Sequence, residues 1–101
     1  MSFSHKYEMP QQHGYTIYSK SGCAKCKDVK NLLTNNFFEF TLIDCDEYLI
    51  EDKEDFLEFI KSVGNIEDIW KTFPIVFFNG NLVGGYKETE NHIKQSVNLY
   101  F

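Results

Sequence analysis

A one-domain α/β fold with a four-stranded mixed sheet flanked by helices is predicted by three features of the chain. Short β-rich runs alternate with longer stretches of helical apolar spacing in the order β-α-β-α-β-β-α. The first two strands are separated by a helix, the connection that parallel neighbours require, whereas the last two flank Asn79-Gly80, a two-residue loop that favours an antiparallel hairpin. The 101 residues are about the size of one domain, and with 43% hydrophobic and 25% charged residues packing has to hold it together.

Residues 1–13 are polar, contain Pro10 and show no sustained period, so they read as a loose N-terminal arm, with the domain proper running from 14 to 101. Tyr15-Thr16-Ile17-Tyr18-Ser19 is a short strand that ends at the Ser21-Gly22 break. Val29, Leu32, Leu33 and Phe37 then recur at helical spacing, which predicts a helix from about Cys23 or Ala24 to Asn35 with that stripe buried. A second strand is expected over Phe38 to Asp44. An amphipathic helix follows over Glu51 to Val63, with Phe56, Leu57, Phe59, Ile60 and Val63 inward and Gly64 as its stop. Asn65 to Trp70 adds a short helical turn, Ile75 to Phe78 and Asn81 to Gly84 form the hairpin, and Glu88 to about Leu99 closes the chain as a helix with Ile93, Val97 and Leu99 on one side. No repeat or low-complexity segment interrupts this order.

Charge and composition narrow the function classes. A net charge of -5 repels polyanions over most of the surface, so nucleic acid is not the expected partner. The charge is segregated: Asp44 to Glu58 holds eight acids opposed only by Lys53, whereas Lys20 to Lys30 holds four lysines against Asp28. No apolar run approaches membrane-spanning length, and Met1 to Lys6 lack the apolar core of a signal peptide, so a cytoplasmic protein without membrane attachment is expected. Three cysteines, an odd number, point to catalytic, metal-binding or buried free thiols rather than a disulfide framework.

Cys23 and Cys26 stand where the first strand ends and a helix begins. A helix N-terminus offers unpaired N–H groups and about half a positive charge, both of which favour a thiolate over a thiol. Sites of this kind bring a cysteine from about 8.5 down to roughly 3.5 to 7.5. At about 100° per residue, Cys26 falls about 20° from Leu33 on the helix wheel and joins the buried stripe, leaving Cys23 at the accessible end. Cys23 is therefore the expected nucleophile and Cys26 the resolving thiol. Lys20, Lys25 and Lys27 add positive charge that favours the ionised sulfur and an anionic thiol substrate. A structural zinc site would need four ligands, and Cys45, His5, His13 and His92 supply no second close pair, so no metal is expected. Cys45 sits between Asp44 and Asp46, whose charge disfavours a thiolate. It reads as structural, or as an incidental glutathionylation site, and the three histidines as solvated.

In order and at matching intervals, Lys20-Ser21-Gly22-Cys23-Ala24-Lys25-Cys26, Thr72-Phe73-Pro74 and Gly84-Gly85 resemble the active-site run, the Thr-Val-Pro loop and the glycine pair of dithiol glutaredoxins, over nearly all of Tyr15 to Val97. The resemblance implies a thioredoxin-like (glutaredoxin) fold with Pro74 cis and facing the cysteines. It implies that the Phe73 main chain pairs with glutathione, that Lys20 attracts its glycine carboxylate and that the backbone after Gly84-Gly85 receives its γ-glutamyl carboxylate. Thr72, Lys25 and Tyr86 complete the implied glutathione groove. Read without it, Thr72-Phe73-Pro74 is equally a loop leading into a strand, Gly84-Gly85 a strand exit and Lys20 a surface lysine.

The activity implied is reduction of protein–glutathione mixed disulfides and protein disulfides, by a monomer that uses glutathione as co-substrate with no tightly bound cofactor. The expected partners are glutathione and disulfide-bearing or glutathionylated proteins. Three departures stand out: Ala24-Lys25 replaces the usual Pro-Tyr, Tyr86-Lys87 replaces a small residue and Asp, and Trp70 stands where relatives carry a Gln. They keep two alternatives open, a thioredoxin-like redoxin served by a flavin reductase and a glutathione-ligated iron–sulfur cluster carrier.

Overall fold

The computed structural model describes residues 6–98. Its elements are β1 (Tyr15–Ser19), α1 (Ala24–Asn35), β2 (Phe40–Asp44), α2 (Asp46–Gly64), β3 (Ile75–Phe78), β4 (Asn81–Gly84) and α3 (Tyr86–Asn98). The sheet order is β2-β1-β3-β4. β1 and β2 run parallel, with Ile17 opposite Leu42, while β3 pairs antiparallel with both β1 and β4. The predicted mixed sheet and element order are those observed.

Side-chain alternation along the two central strands builds a core on each face. Tyr18, Ile75 and Phe77 point to the face covered by α2, where they meet Phe56, Phe59 and Ile60. Tyr15, Ile17 and Val76 point to the other, where they meet Val29 and Leu33 of α1 and Ile93 of α3. All five residues of β1 are buried, so its C-terminal end, where the cysteine loop starts, is anchored on both sides. Between β3 and β4, Asn79 (φ 52°) and Gly80 (φ 83°) both have positive φ, the requirement of the predicted hairpin turn.

Several local expectations are corrected. Phe37 is not in the α1 stripe: the helix ends at Asn35, Phe37 takes φ 64° and its side chain is 94% exposed, because the chain must reverse there to enter β2, which starts at Phe40 rather than Phe38. α2 begins at Asp46, where Asp46 and Glu47 suit the positive end of a helix, and it breaks at Asp52 (φ -162°, ψ 84°). Asp52 Oδ1 accepts the Asp55 N–H at 3.1 Å, so the predicted Glu51 to Val63 helix is the second segment, with its own cap.

Asn65 in the left-handed region, not Gly64, ends that segment. Gly64 lies within the helix, close enough to β4 that a Cβ there would meet Leu82 Cδ2 at 3.1 Å. Residues 65–70 form a turn, a bend and irregular chain without a helical turn, and α3 starts two residues earlier than predicted, at Tyr86. The positions of Val97 and Leu99 on its inner side lie outside the described side chains, and His5 lies outside the described residues.

The N-terminal segment is not loose from Lys6 onward. Tyr7 is buried in the α2-side core, its hydroxyl donates to Asp55 Oδ2 at 2.6 Å, and Lys6 Nζ lies 3.0 Å from the same oxygen. The Tyr18 hydroxyl donates to the Glu8 carbonyl at 2.6 Å and the Gln11 N–H to Thr16 Oγ1 at 2.9 Å. One aromatic ring in a polar stretch has no period to announce it, which is why the anchoring is invisible in the sequence. His92 is likewise only half-exposed: its Nδ1 lies 2.7 Å from the Tyr15 hydroxyl and its ring packs on Phe78.

Candidate active site

The site forms where the buried strand β1 hands the chain to α1. Lys20, Ser21 and Gly22 turn the chain, and Cys23, with extended dihedrals (φ -113°, ψ 102°), is the N-cap of α1. Its carbonyl accepts the Lys27 N–H at 3.3 Å and its Sγ accepts the Cys26 N–H at 3.1 Å, so sulfur takes the place that a capping oxygen usually fills. Cys23 and Cys26 are joined as a disulfide across a Cα separation of 5.3 Å, inside the span such a bond needs. Cys26 is 2% exposed and belongs to the core, whereas Cys23 is partly exposed. The expected division between an accessible and a buried sulfur is present.

A carboxylate from the next helix steadies this loop. Asp46, the first residue of α2, accepts the Ser21 N–H at Oδ1 (2.8 Å) and the Ser21 hydroxyl at Oδ2. Those two bonds hold the Asp46 carboxyl below its ordinary range, with Lys20 adding to the same effect. Sequence reading passed over this pair. The available signal was an aspartate at a helix start beside the end of a parallel strand, next to a serine at the equivalent place one strand over.

The Phe73–Pro74 bond is cis. Lys20 Nζ stands 5.5 Å from the centre of the Phe73 ring, and Lys25 Nζ stands 4.9 Å from that of Tyr86, so both lysines reach from the cysteine segment to the loops beyond it. A Cβ on Gly85 would lie 3.6 Å from the Pro74 carbonyl oxygen and 3.9 Å from Trp70 Cζ2, which makes these three residues neighbours. Gly84 has φ 131° and a Cβ there would meet Glu88 Cγ at 2.8 Å, so only glycine fits. Thr72 is exposed. Trp70 is partly buried against the α2-side core, and its indole Nε1 is buried with no hydrogen-bond partner among the described residues.

One side chain that sequence reading did not single out sits on this groove. Glu88 Oε1 accepts the Gly85 N–H at 2.9 Å, as the third helical residue of a capping box does. A second opening lies on the other flank of the cysteines: a cleft of about 420 Å³ between α1 and β2, with Cys23 and Cys26 in its wall together with Lys27, Lys30 and Leu42.

Cys45 is fully buried, its S–H directed at the Ile43 carbonyl at 3.6 Å. Burial above all pushes its thiol up to about 12, with Asp44, Asp46 and Glu8 contributing in the same sense and the Ser19 backbone opposing. The neighbouring aspartates that suggested an inert thiol are thus the lesser cause. Among the described residues no group of three or more His, Cys, Asp or Glu side chains is placed to hold a metal ion, and no helix is long and apolar enough to cross a membrane.

Known proteins match this geometry. The family model for glutaredoxin matches residues 15–83. Glutaredoxin 1 from Francisella tularensis, solved with cacodylate, superposes with a TM-score of 0.70 at 23% identity, over 83% of this chain and 95% of that one. The holo form of glutaredoxin C1 from Populus tremula x tremuloides gives 0.66 at 22% identity, over 88% and 82%. A buckwheat glutaredoxin–glutathione complex gives 0.62 at 23% identity, over 84% and 73%. Comparison with curated protein sequences gives no match. With a family match across β1 to β4, a thioredoxin-like sheet and a capped Cys-x-x-Cys pair in place, the chain belongs to the glutaredoxin family of thiol–disulfide oxidoreductases.

Proposed function

We propose that the protein reduces protein–glutathione mixed disulfides and protein disulfides at the expense of glutathione, as a monomer in a reducing, cytoplasmic environment. The observation that carries this reading is the placement of Cys23 Sγ: partly exposed, at a helix N-cap, accepting a main-chain N–H, and bonded to a buried partner three residues on. N–H donation and the helix dipole stabilise negative charge on that sulfur both when it attacks and when it leaves.

With a glutathionylated protein, the Cys23 thiolate attacks the glutathione sulfur, a new disulfide forms on Cys23 and the protein thiolate departs. A second glutathione thiolate then attacks that sulfur, releasing glutathione disulfide and regenerating Cys23. With a protein disulfide, the Cys23 thiolate attacks one sulfur and the first protein thiolate leaves, Cys26 then attacks the Cys23 sulfur of that mixed disulfide and the second protein thiolate leaves, and the Cys23–Cys26 disulfide that results is reduced by two glutathiones in turn. Lys20 over Phe73, the cis Pro74 and the Gly85 backbone form the groove assigned to glutathione, and the buckwheat relative, whose structure contains glutathione, supports that assignment.

One observation favours a second reading, a redoxin served by a flavin reductase. Glu88, bonded to the Gly85 N–H, puts a carboxylate next to the backbone assigned to the γ-glutamyl carboxylate, and the two like charges repel. Reduction of hydroxyethyl disulfide by glutathione, run beside reduction by a flavin reductase and NADPH, decides between the two. Turnover with glutathione is expected. Turnover only with the reductase would replace the first reading by the second.

A further inference from the structure

The groove assigned to glutathione uses one flank of the cysteine pair, toward Phe73, Pro74 and Tyr86. The cleft between α1 and β2 opens on the other and is left without a ligand by that assignment. Its lining is uneven in charge: besides Lys20, which it shares with that groove, it holds Lys27 and Lys30 against the single acid Asp44, in a protein whose net charge is -5. It also has one apolar contact point, Leu42, which is 46% exposed although it sits in a strand. β2 is one of the sheet's two edge strands, so the side of it away from β1 has no strand partner among the described residues.

We propose that this cleft seats the polypeptide of the disulfide-bearing substrate: an extended acidic segment with an apolar side chain next to its reacting cysteine. The apolar residue covers Leu42, the acidic residues meet Lys27 and Lys30, and the substrate sulfur is delivered to Cys23 at the mouth of the cleft. For a protein disulfide, Cys23 attacks the sulfur so delivered and the other substrate sulfur leaves as the thiolate. The same lysines would repel a basic segment, which the single acid Asp44 in the lining does not offset. This inference rests on the proposed oxidoreductase activity for its biological meaning, but the contact itself can be read without turnover.

The test uses the full chain, isotopically labelled, and two synthetic peptides in which serine stands for the reacting cysteine, Glu-Leu-Glu-Ser-Gly and Lys-Leu-Lys-Ser-Gly. The acidic peptide is expected to shift the amides of Lys27, Lys30 and Leu42 and to bind about tenfold more tightly than the basic one at low salt, an advantage that shrinks as salt screens it. Lys30→Glu should erase the preference, and Leu42→Ser should weaken both peptides alike. Equal binding of the two peptides, shifts confined to residues 72–74 and 85–86, or an unchanged preference in Lys30→Glu would overturn the proposal. Because the peptides cannot react, failure of glutathione-driven reduction would leave these results standing, and their failure would leave that activity standing.

Discussion

Cys23 and Cys45 occupy matching places in the fold. Each follows one of the two parallel strands, and each is the residue immediately before a helix. Their fates differ. The Cys23 side chain caps its helix, reaches solvent and pairs with Cys26, whereas the Cys45 side chain makes no cap bond, is fully buried and is held as a thiol by desolvation. A helix N-terminus therefore does not make a reactive cysteine by itself. Helix charge favours the anion by a modest amount, and complete burial disfavours it by more, so exposure decides which effect wins. The quiet junction still serves the working one, since Asp46, next to Cys45, ties down Ser21 in the cysteine loop.

Breaking the working junction should have the largest effect. Cys23→Ser removes the nucleophile and is expected to lower glutathione-driven reduction of hydroxyethyl disulfide by more than about 100-fold, while Cys26→Ser, which leaves the first attack intact, stays within about tenfold of wild type. Equal activity in the three proteins would mean that the nucleophile is misassigned. Reactivity of the two junctions should separate almost as widely in the reduced, folded protein. A thiol at about 12 is ionised in roughly one molecule in 10⁵ at pH 7, so iodoacetamide followed by peptide mapping should mark Cys23 first and Cys45 only after denaturation.

Cutting the tie between the junctions should give an intermediate effect. Asp46→Ala frees Ser21 and is expected to lower kcat/KM about three- to tenfold through a less well held loop. The same contact has a defined pH sign. Because the folded-state pKa of Asp46 lies below its unfolded value, its contribution to stability is present above that unfolded value and is lost as pH falls through the folded one. The stability gap between wild type and Asp46→Asn should thus be full near pH 6 and close as the pH drops below about 4, which acid unfolding followed by circular dichroism would show. The smallest effect belongs to the quiet cysteine: Cys45→Ala should cost about 1 kcal/mol in urea unfolding and leave disulfide reduction within about twofold, since only packing is lost.

Much of the fold is legible along the chain because its elements carry strong local signals. β1 and both hairpin strands have the bounds that β-rich runs and Asn79-Gly80 suggest, and α1 starts where the Ser21-Gly22 break ends. Legibility fails where local cues compete or are absent. Gly64 looked like a helix stop, but Asn65 supplies the left-handed residue and Gly64 is needed for close approach to Leu82. Phe37 has the right spacing for the α1 stripe, yet the helix has already ended. At the site, the exposed Cys23 and the buried Cys26 were readable from their place at a helix start. Glu88 on the Gly85 N–H and Asp46 on Ser21 were not, because an acid three residues into a helix or at its first position says nothing about what else shares its bond.

Sequence alone determined the order of elements and which cysteine of the pair stands at the accessible end of its helix, since each of these follows from residue spacing within one segment and from the helix start next to it. Tertiary structure decided everything that joins distant segments. Tyr7 became core by lodging against α2, Asp46 became a brace because β1 and β2 end side by side, and Cys45 became inert because packing removed its water. The physical reason is range: backbone propensity and periodicity act over a few residues, while burial and hydrogen-bond partnership depend on what the folded chain brings alongside.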